Sequence, residues 1–130
     1  MYVTEDSGET WTGPAHIVAT WAANPWIEYG PSGALGVFWR AITKSGSEPP
    51  MVDAYAVASF DSGKTFSPPI RLNAKSHPWA DSGPPADDWS GLSLDDEYLY
   101  GQWIDNRSGK TGDVIFARAP LSLFRDAMKK

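Results

Sequence analysis

The chain of 130 residues contains no cysteine. Disulfides and thiolate metal sites are thereby excluded, whatever the compartment. It has only two histidines, His16 and His77, and neither stands at a ligand spacing from carboxylates, which argues against a zinc site. No run approaches the ~18 apolar residues that a membrane helix requires. No basic segment followed by an apolar one marks the N-terminus as a secretory signal. Runs of lysine or arginine are missing too, and a net charge of −5 with a pI near 4.8 lacks the basic face that phosphate backbones select. The expectations are no nucleic-acid partner, no membrane, no metal and no cofactor, with the compartment left open.

Helical periodicity is scarce as well. It surfaces only at the end, in "PLSLFRDAMKK", with Leu121, Phe124 and Met128 at helical spacing and Lys129 and Lys130 suited to a helix C-terminus. The spacing predicts a short amphipathic helix or tail over 121–130. In its place the chain is rich in strand and turn signals. Twelve glycines and eleven prolines punctuate short apolar runs, and seven tryptophans are many for this length. The runs predicted as strands are 15–20, 34–41, 53–60, 69–73, 91–94, 98–104 and 113–119.

One pattern is written twice. "TEDSGETW" (Thr4 to Trp11) and "SFDSGKTF" (Ser59 to Phe66) share a small hydroxyl, Asp-Ser-Gly, Thr and an aromatic at matched places. Asp-Ser-Gly is turn chemistry: the carboxylate accepts backbone N–H groups just ahead of it, and glycine supplies a positive φ. Asp6, Gly8 and Thr10, like Asp61, Gly63 and Thr65, are expected to fix a turn, with Trp11 and Phe66 pinning it to a core. A catalytic role for either aspartate is the sharper reading, but turn chemistry explains every position. The repetition extends further. "NPWIEYGPSGALGVFWRA" parallels "DDWSGLSLDDEYLYGQWID", pairing Trp26 with Trp89 and Trp39 with Trp103, and each unit continues into an Asp-led strand from Asp53 or Asp113. These tryptophans are expected in a core between repeats.

On these residues, together with "SPPIRLN" and "WIDNRSGKTGDVIFARA", the sequence resembles the Asp-box (bacterial neuraminidase repeat) proteins of the sialidase-like β-propeller family. The resemblance implies an all-β fold of four-stranded antiparallel blades, about two per chain. These are a blade strand at 15–20, a blade over about 26–73 and another over about 89–119, within a region 1–120. It also implies that the box turn lies on the face opposite the active site. Family members are often extracellular or periplasmic.

Two blades are fewer than the four to eight of a propeller. The last blade stops where a box would start, so the "HIVAT" strand is expected to complete the blade of a neighbouring copy. The expected partner is therefore the chain itself, in a homo-oligomer of three copies and six blades, with residues 1–3 frayed. A piece of a longer propeller is the alternative.

Ligand-face loops in such blades would carry Trp21, Arg40, His77, Trp79, Asp81, Asp105 and Arg107. Trp faces stack on pyranose rings and arginine grips carboxylates in a fork. The binding candidates are thus Trp21, Arg40, Trp79, Asp105 and Arg107, with a carbohydrate as the candidate ligand. For Arg107 the competing reading is ordering of its own loop. Both histidines have packing or surface roles as the simpler reading, and "ADDW" with Asp81 reads as a solvated loop rather than a Ca²⁺ site. Resemblance to sialidases would imply an arginine triad, a tyrosine–glutamate nucleophile and an aspartate acid/base. Only fragments of this set are present. The adjacent Glu-Tyr pairs, Glu28-Tyr29 and Glu97-Tyr98, fall at turns on the wrong side. The sequence therefore points to a non-catalytic binding or scaffolding module, with a sialidase-type glycosidase, active only in a complete ring, as the alternative.

Overall fold

The computed structural model describes residues 1–17, 22–44, 50–79, 90–108 and 112–130. Its strands are β1 (Ala22–Tyr29), β2 (Leu35–Lys44), β3 (Met51–Ser59), β4 (Ile70–Arg71), β5 (His77–Pro78), β6 (Gly91–Leu94), β7 (Tyr98–Asp105) and β8 (Asp113–Pro120), followed by the helix α1 (Leu121–Ala127). All strand pairing is antiparallel. The first sheet runs β1-β2-β3-β4, with β5 also on β3; the second runs β6-β7-β8. The fold is all-β with one short C-terminal helix, and neither sheet closes on itself.

The two sheets pack face to face because period-2 alternation gives each an apolar side. Phe38, Ala54, Ala56 and Ala58 of the first sheet meet Leu94, Leu99 and Trp103 of the second. Phe38 and Trp103 stack with ring centroids 6.1 Å apart. Gly36 permits the approach: a Cβ there would lie 2.8 Å from Leu94 Cδ1. The helix α1 closes one end of this core with Leu121 and Phe124, both fully buried.

Register makes the two sheets equivalent. Trp39 faces Tyr55 as Trp103 faces Ile115, and Ala41 faces Asp53 as Asp105 faces Asp113. Trp26 faces Phe38 as Gly91 faces Gln102. Trp26 thus corresponds to Gly91 and not to Trp89, and it is 45 % exposed rather than in a core. Trp39 and Trp103 are buried as expected; Trp89 lies outside the described residues.

Both boxes fold alike. In the second, Ser59 Oγ donates to Asp61 Oδ1 (2.8 Å) and accepts from the Gly63 amide (2.8 Å). The Thr65 amide and hydroxyl donate to the two oxygens of Asp61 at 2.8 and 2.6 Å. In the first, Thr4, Asp6, Gly8 and Thr10 repeat each bond. Ser62 and Gly63 sit at φ 61° and 84°, and Ser7 and Gly8 at 58° and 94°. The hydroxyl and amide donors of Thr65 and Thr10 hold both carboxyls down to about 2. Phe66 packs beside Trp39 and Val57, whereas Trp11 is 60 % exposed and its Nε1 bonds back to Gly8 O at 3.2 Å. The expectation that both aromatics anchor to a core thus fails for Trp11, whose turn has no sheet beneath it.

Other differences concern strand ends. The strand expected over 69–73 is only Ile70–Arg71, because Asn73 turns its side chain onto the Ala54 amide (2.9 Å) and so replaces a backbone pair. Residues 15–17 are not in a strand, and the rest of 15–20 lies outside the described residues. In the single chain residues 1–3 are paired: Met1 exchanges two bonds of 2.8 Å with Ala15, and Val3 pairs with Thr12.

Candidate functional site

One end of the sheets collects polar side chains. It is the end of β2 and β7 remote from the Asp61 turn, since β3 starts there and runs away to Ser59. Arg40 comes from β2, on the face that also carries Phe38. His77 comes from β5, held there by pairing of Val52 with His77 and Met51 with Pro78. Trp79 follows directly, its amide bonded to Pro50 O at 2.7 Å. Asp105 ends β7, and Arg107 lies in the turn beyond it.

Arg40 is fully buried, with its guanidinium carbon 4.9 Å from the centre of the Trp79 ring. A planar cation over an indole face is a favourable contact, the more so when desolvated. Arg40, a binding candidate from the sequence, is thus covered rather than open. Period-2 alternation assigns a face but not a depth, and this position lies beneath Trp79.

Asp105 is buried and holds Arg107. Its Oδ1 accepts from the Arg107 amide (2.9 Å) and from Nε (3.0 Å), and its Oδ2 pairs with the guanidinium at 2.8 Å. The loop-ordering reading of Arg107 therefore describes its geometry, although more than a third of its side chain stays open to solvent. His77 is fully buried. Burial pushes its imidazole below the ordinary value; Arg40 and Arg107 push the same way, and Asp105 opposes them. His77 thus lies within electrostatic range of Arg40, Asp105 and Arg107.

Several buried polar atoms at this end have no hydrogen-bond partner among the described residues: His77 Nε2, Trp103 Nε1 and Asn106 Nδ2. Native proteins rarely leave such groups orphaned. Of the sequence candidates, Arg40, Trp79, Asp105 and Arg107 come together. Trp21 and Asp81 lie outside the described residues. Sequence reasoning undervalued His77. Its place is set by pairing with Val52 at the start of β3, which no local pattern announces.

The two Glu-Tyr pairs sit at the other end. Tyr29 faces Leu35, which in turn faces Ser59, and Tyr98 faces Pro120 where α1 begins. Among the described residues, no group of three or more His, Cys, Asp and Glu side chains is arranged to hold a metal ion. Nor, among those residues, is any helix long and apolar enough to cross a membrane. No family model matches the chain, and no curated protein or solved structure compared with it matches either.

Proposed function

We propose that the two sheets are consecutive blades of a sialidase-like, Asp-box propeller. In this reading the chain is a non-catalytic module that binds a carboxylate-bearing carbohydrate at the Arg40–His77–Trp79–Asp105–Arg107 end. The observation that carries the reading is the convergence of these five side chains, drawn from β2, β5, β7 and two connecting segments, at the end opposite the Asp61 turn. The matched registers of the two sheets and the matched bonds of the two turns support the blade assignment. The half-buried Trp79 offers an aromatic surface to a sugar ring, and Arg107 offers a guanidinium that Asp105 has already oriented.

The non-catalytic assignment rests on the charges. Arg107 is engaged by Asp105, Arg40 is covered by Trp79, and both Glu-Tyr pairs are at the wrong end. Titration with sialic acid, followed by tryptophan fluorescence, should give saturable quenching that Trp79→Ala and Arg107→Ala each weaken at least tenfold. A fluorogenic sialoside should not be turned over above background. Turnover that disappears in Arg40→Ala would replace this reading with that of a glycosidase.

A further inference from the structure

We infer that the outer face and free edge of the second sheet dock on the Trp39 face of the first sheet of another copy of this chain, head to tail. Residues 116–119 of one copy then take the place of residues 1–4 of the next. This rests on the reading of the sheets as consecutive blades, and it specifies the partner.

The cluster around Trp103 shows what a completed contact looks like. Trp103 packs with Ile115 and Ala117 of its own sheet, with Leu72, and with Phe38 and Ala54 of the sheet before it. The cluster around Trp39 has most of the same parts. Tyr55 and Val57 stand for Ile115 and Ala117, and Ile17 stands for Leu72. Among the described residues, counterparts of Phe38 and Ala54 are lacking. A cleft of about 460 Å³ opens there, lined by Met1, Ile17, Trp26, Ile27, Val37 and Trp39.

By register, the counterparts of Phe38, Ala54 and Ala56 are Gln102, Val114 and Phe116. All three lie on the outer face of the second sheet, where Val114 and Phe116 are each 64 % exposed. Phe116 stacks on Tyr100 at 5.8 Å, so this face presents a preformed apolar surface. The helix α1 turns the other way, into the core, and leaves it open. The chain thus carries both a socket that lacks this surface and the surface itself, which favours a second copy as occupant.

The edges agree. Residues 1–17 repeat the geometry of 56–72: Thr12 N donates to Val3 O at 2.8 Å, as Ser67 N donates to Ala58 O at 2.9 Å. Met1–Thr4 therefore mimics the end of a third strand, paired to a fourth-strand segment at 12–17. In the second sheet β8 is a third strand with no fourth beside it among the described residues. Exchange of Met1–Thr4 for residues 116–119 keeps these pairs and adds residues 113–115 against His16 and Ile17. The polar partner agrees as well. Arg71 binds Asp53 at 2.7 Å, and in the exchanged seam His16, a hydrogen-bond donor, takes the place of Arg71 beside Asp113, the counterpart of Asp53. Three copies would close a ring of six sheets.

Sedimentation velocity of the purified chain from micromolar to millimolar concentration tests this, with sialic acid titration run alongside. The wild type should associate reversibly to a closed species of three chains. Phe116→Glu should be monomeric with an unchanged melting temperature. Val3→Pro removes the Val3 N–H bond to Thr12 and should raise the associated fraction several-fold, because the displaced segment holds on less firmly. A wild type and Val3→Pro that both stay monomeric would overturn the seam, as would association indifferent to Phe116→Glu. Dissociation by Phe116→Glu with no response to Val3→Pro would overturn the strand exchange. A monomer that still binds sialic acid would discard the seam and leave the binding reading standing.

Discussion

The two sheets share register and core-facing pattern, yet their outer edges differ. In the first, β3 is flanked by β4 and β5, and Asp53 at its start is buried between Arg71 Nη2 (2.7 Å) and Asn73 Nδ2 (2.8 Å). In the second, β8 is the edge among the described residues, and the equivalent Asp113 is exposed. An aspartate in the same register position is a structural tie in one sheet and a solvated charge in the other. What differs is the strand beside it, not the strand that carries it. An edge with free N–H and C=O groups and exposed Val114 and Phe116 invites pairing unless something covers it.

The largest break in this equivalence should come from the paired tryptophans. Trp103 is enclosed by both sheets, so Trp103→Ala should cost about 3–5 kcal/mol in urea unfolding. Trp39 borders a cleft, and Trp39→Ala should cost roughly 2 kcal/mol in the monomer. Equal losses would mean that the Trp39 face is already closed. Next come the aspartates. Asp53→Ala leaves Arg71 and Asn73 without their acceptor and should cost about 2–3 kcal/mol. Asp113→Ala should be close to neutral by the same measurement.

Smaller effects separate the two turns. Asp61→Ala should lower the melting temperature by about 3–6 °C, since its turn sits against Phe66 and the sheet. Asp6→Ala should lower it less, because Trp11 is exposed and bonds only within its own turn. A melt of Asp61→Ala within about a degree of wild type would make the turn bonds irrelevant to stability. The pH response follows from the signs. The Asp61 carboxyl is held down to about 2 in the fold, below its unfolded value, so its contribution is present above about pH 4 and is lost as pH falls towards 2. Asp61→Asn should flatten that loss. The His77 imidazole is also depressed, by burial first, so the unfolded chain takes up protons more readily. Stability should therefore fall as pH drops below about 6.5, and His77→Gln should blunt that fall.

Much of this fold was legible in the sequence. The strand 91–94 is found where its apolar run places it, and β7 and β8 extend one residue beyond theirs, because turn residues bound them on both sides. The turn bonds of Asp6 and Asp61 follow from residue type at fixed spacing, and the helix from its apolar spacing. Depth was not legible. Arg40, Asp105 and His77 are buried by elements distant in sequence, and no local pattern encodes that cover. The strand β5 was missed because His77–Pro78 has no strand propensity and exists only through its pairing with Met51 and Val52. Trp26 was misplaced because the turn after β1 is one residue longer than the turn after β6: Tyr29 faces Leu35, whereas Leu94 faces Leu99.

Amide hydrogen exchange on a dilute, monomeric chain tests the comparison most directly. In the first sheet the Ala54 and Ala58 amides donate to Asn73 Oδ1 and Ser67 Oγ, at 2.9 and 3.1 Å. Their equivalents are Val114 and Arg118, with Phe116 between them. Slow exchange is expected at Ala54 and Ala58 and fast exchange at Val114, Phe116 and Arg118. Equal protection of the two sets in the monomer would mean that the chain covers β8 by itself, and would contradict the account.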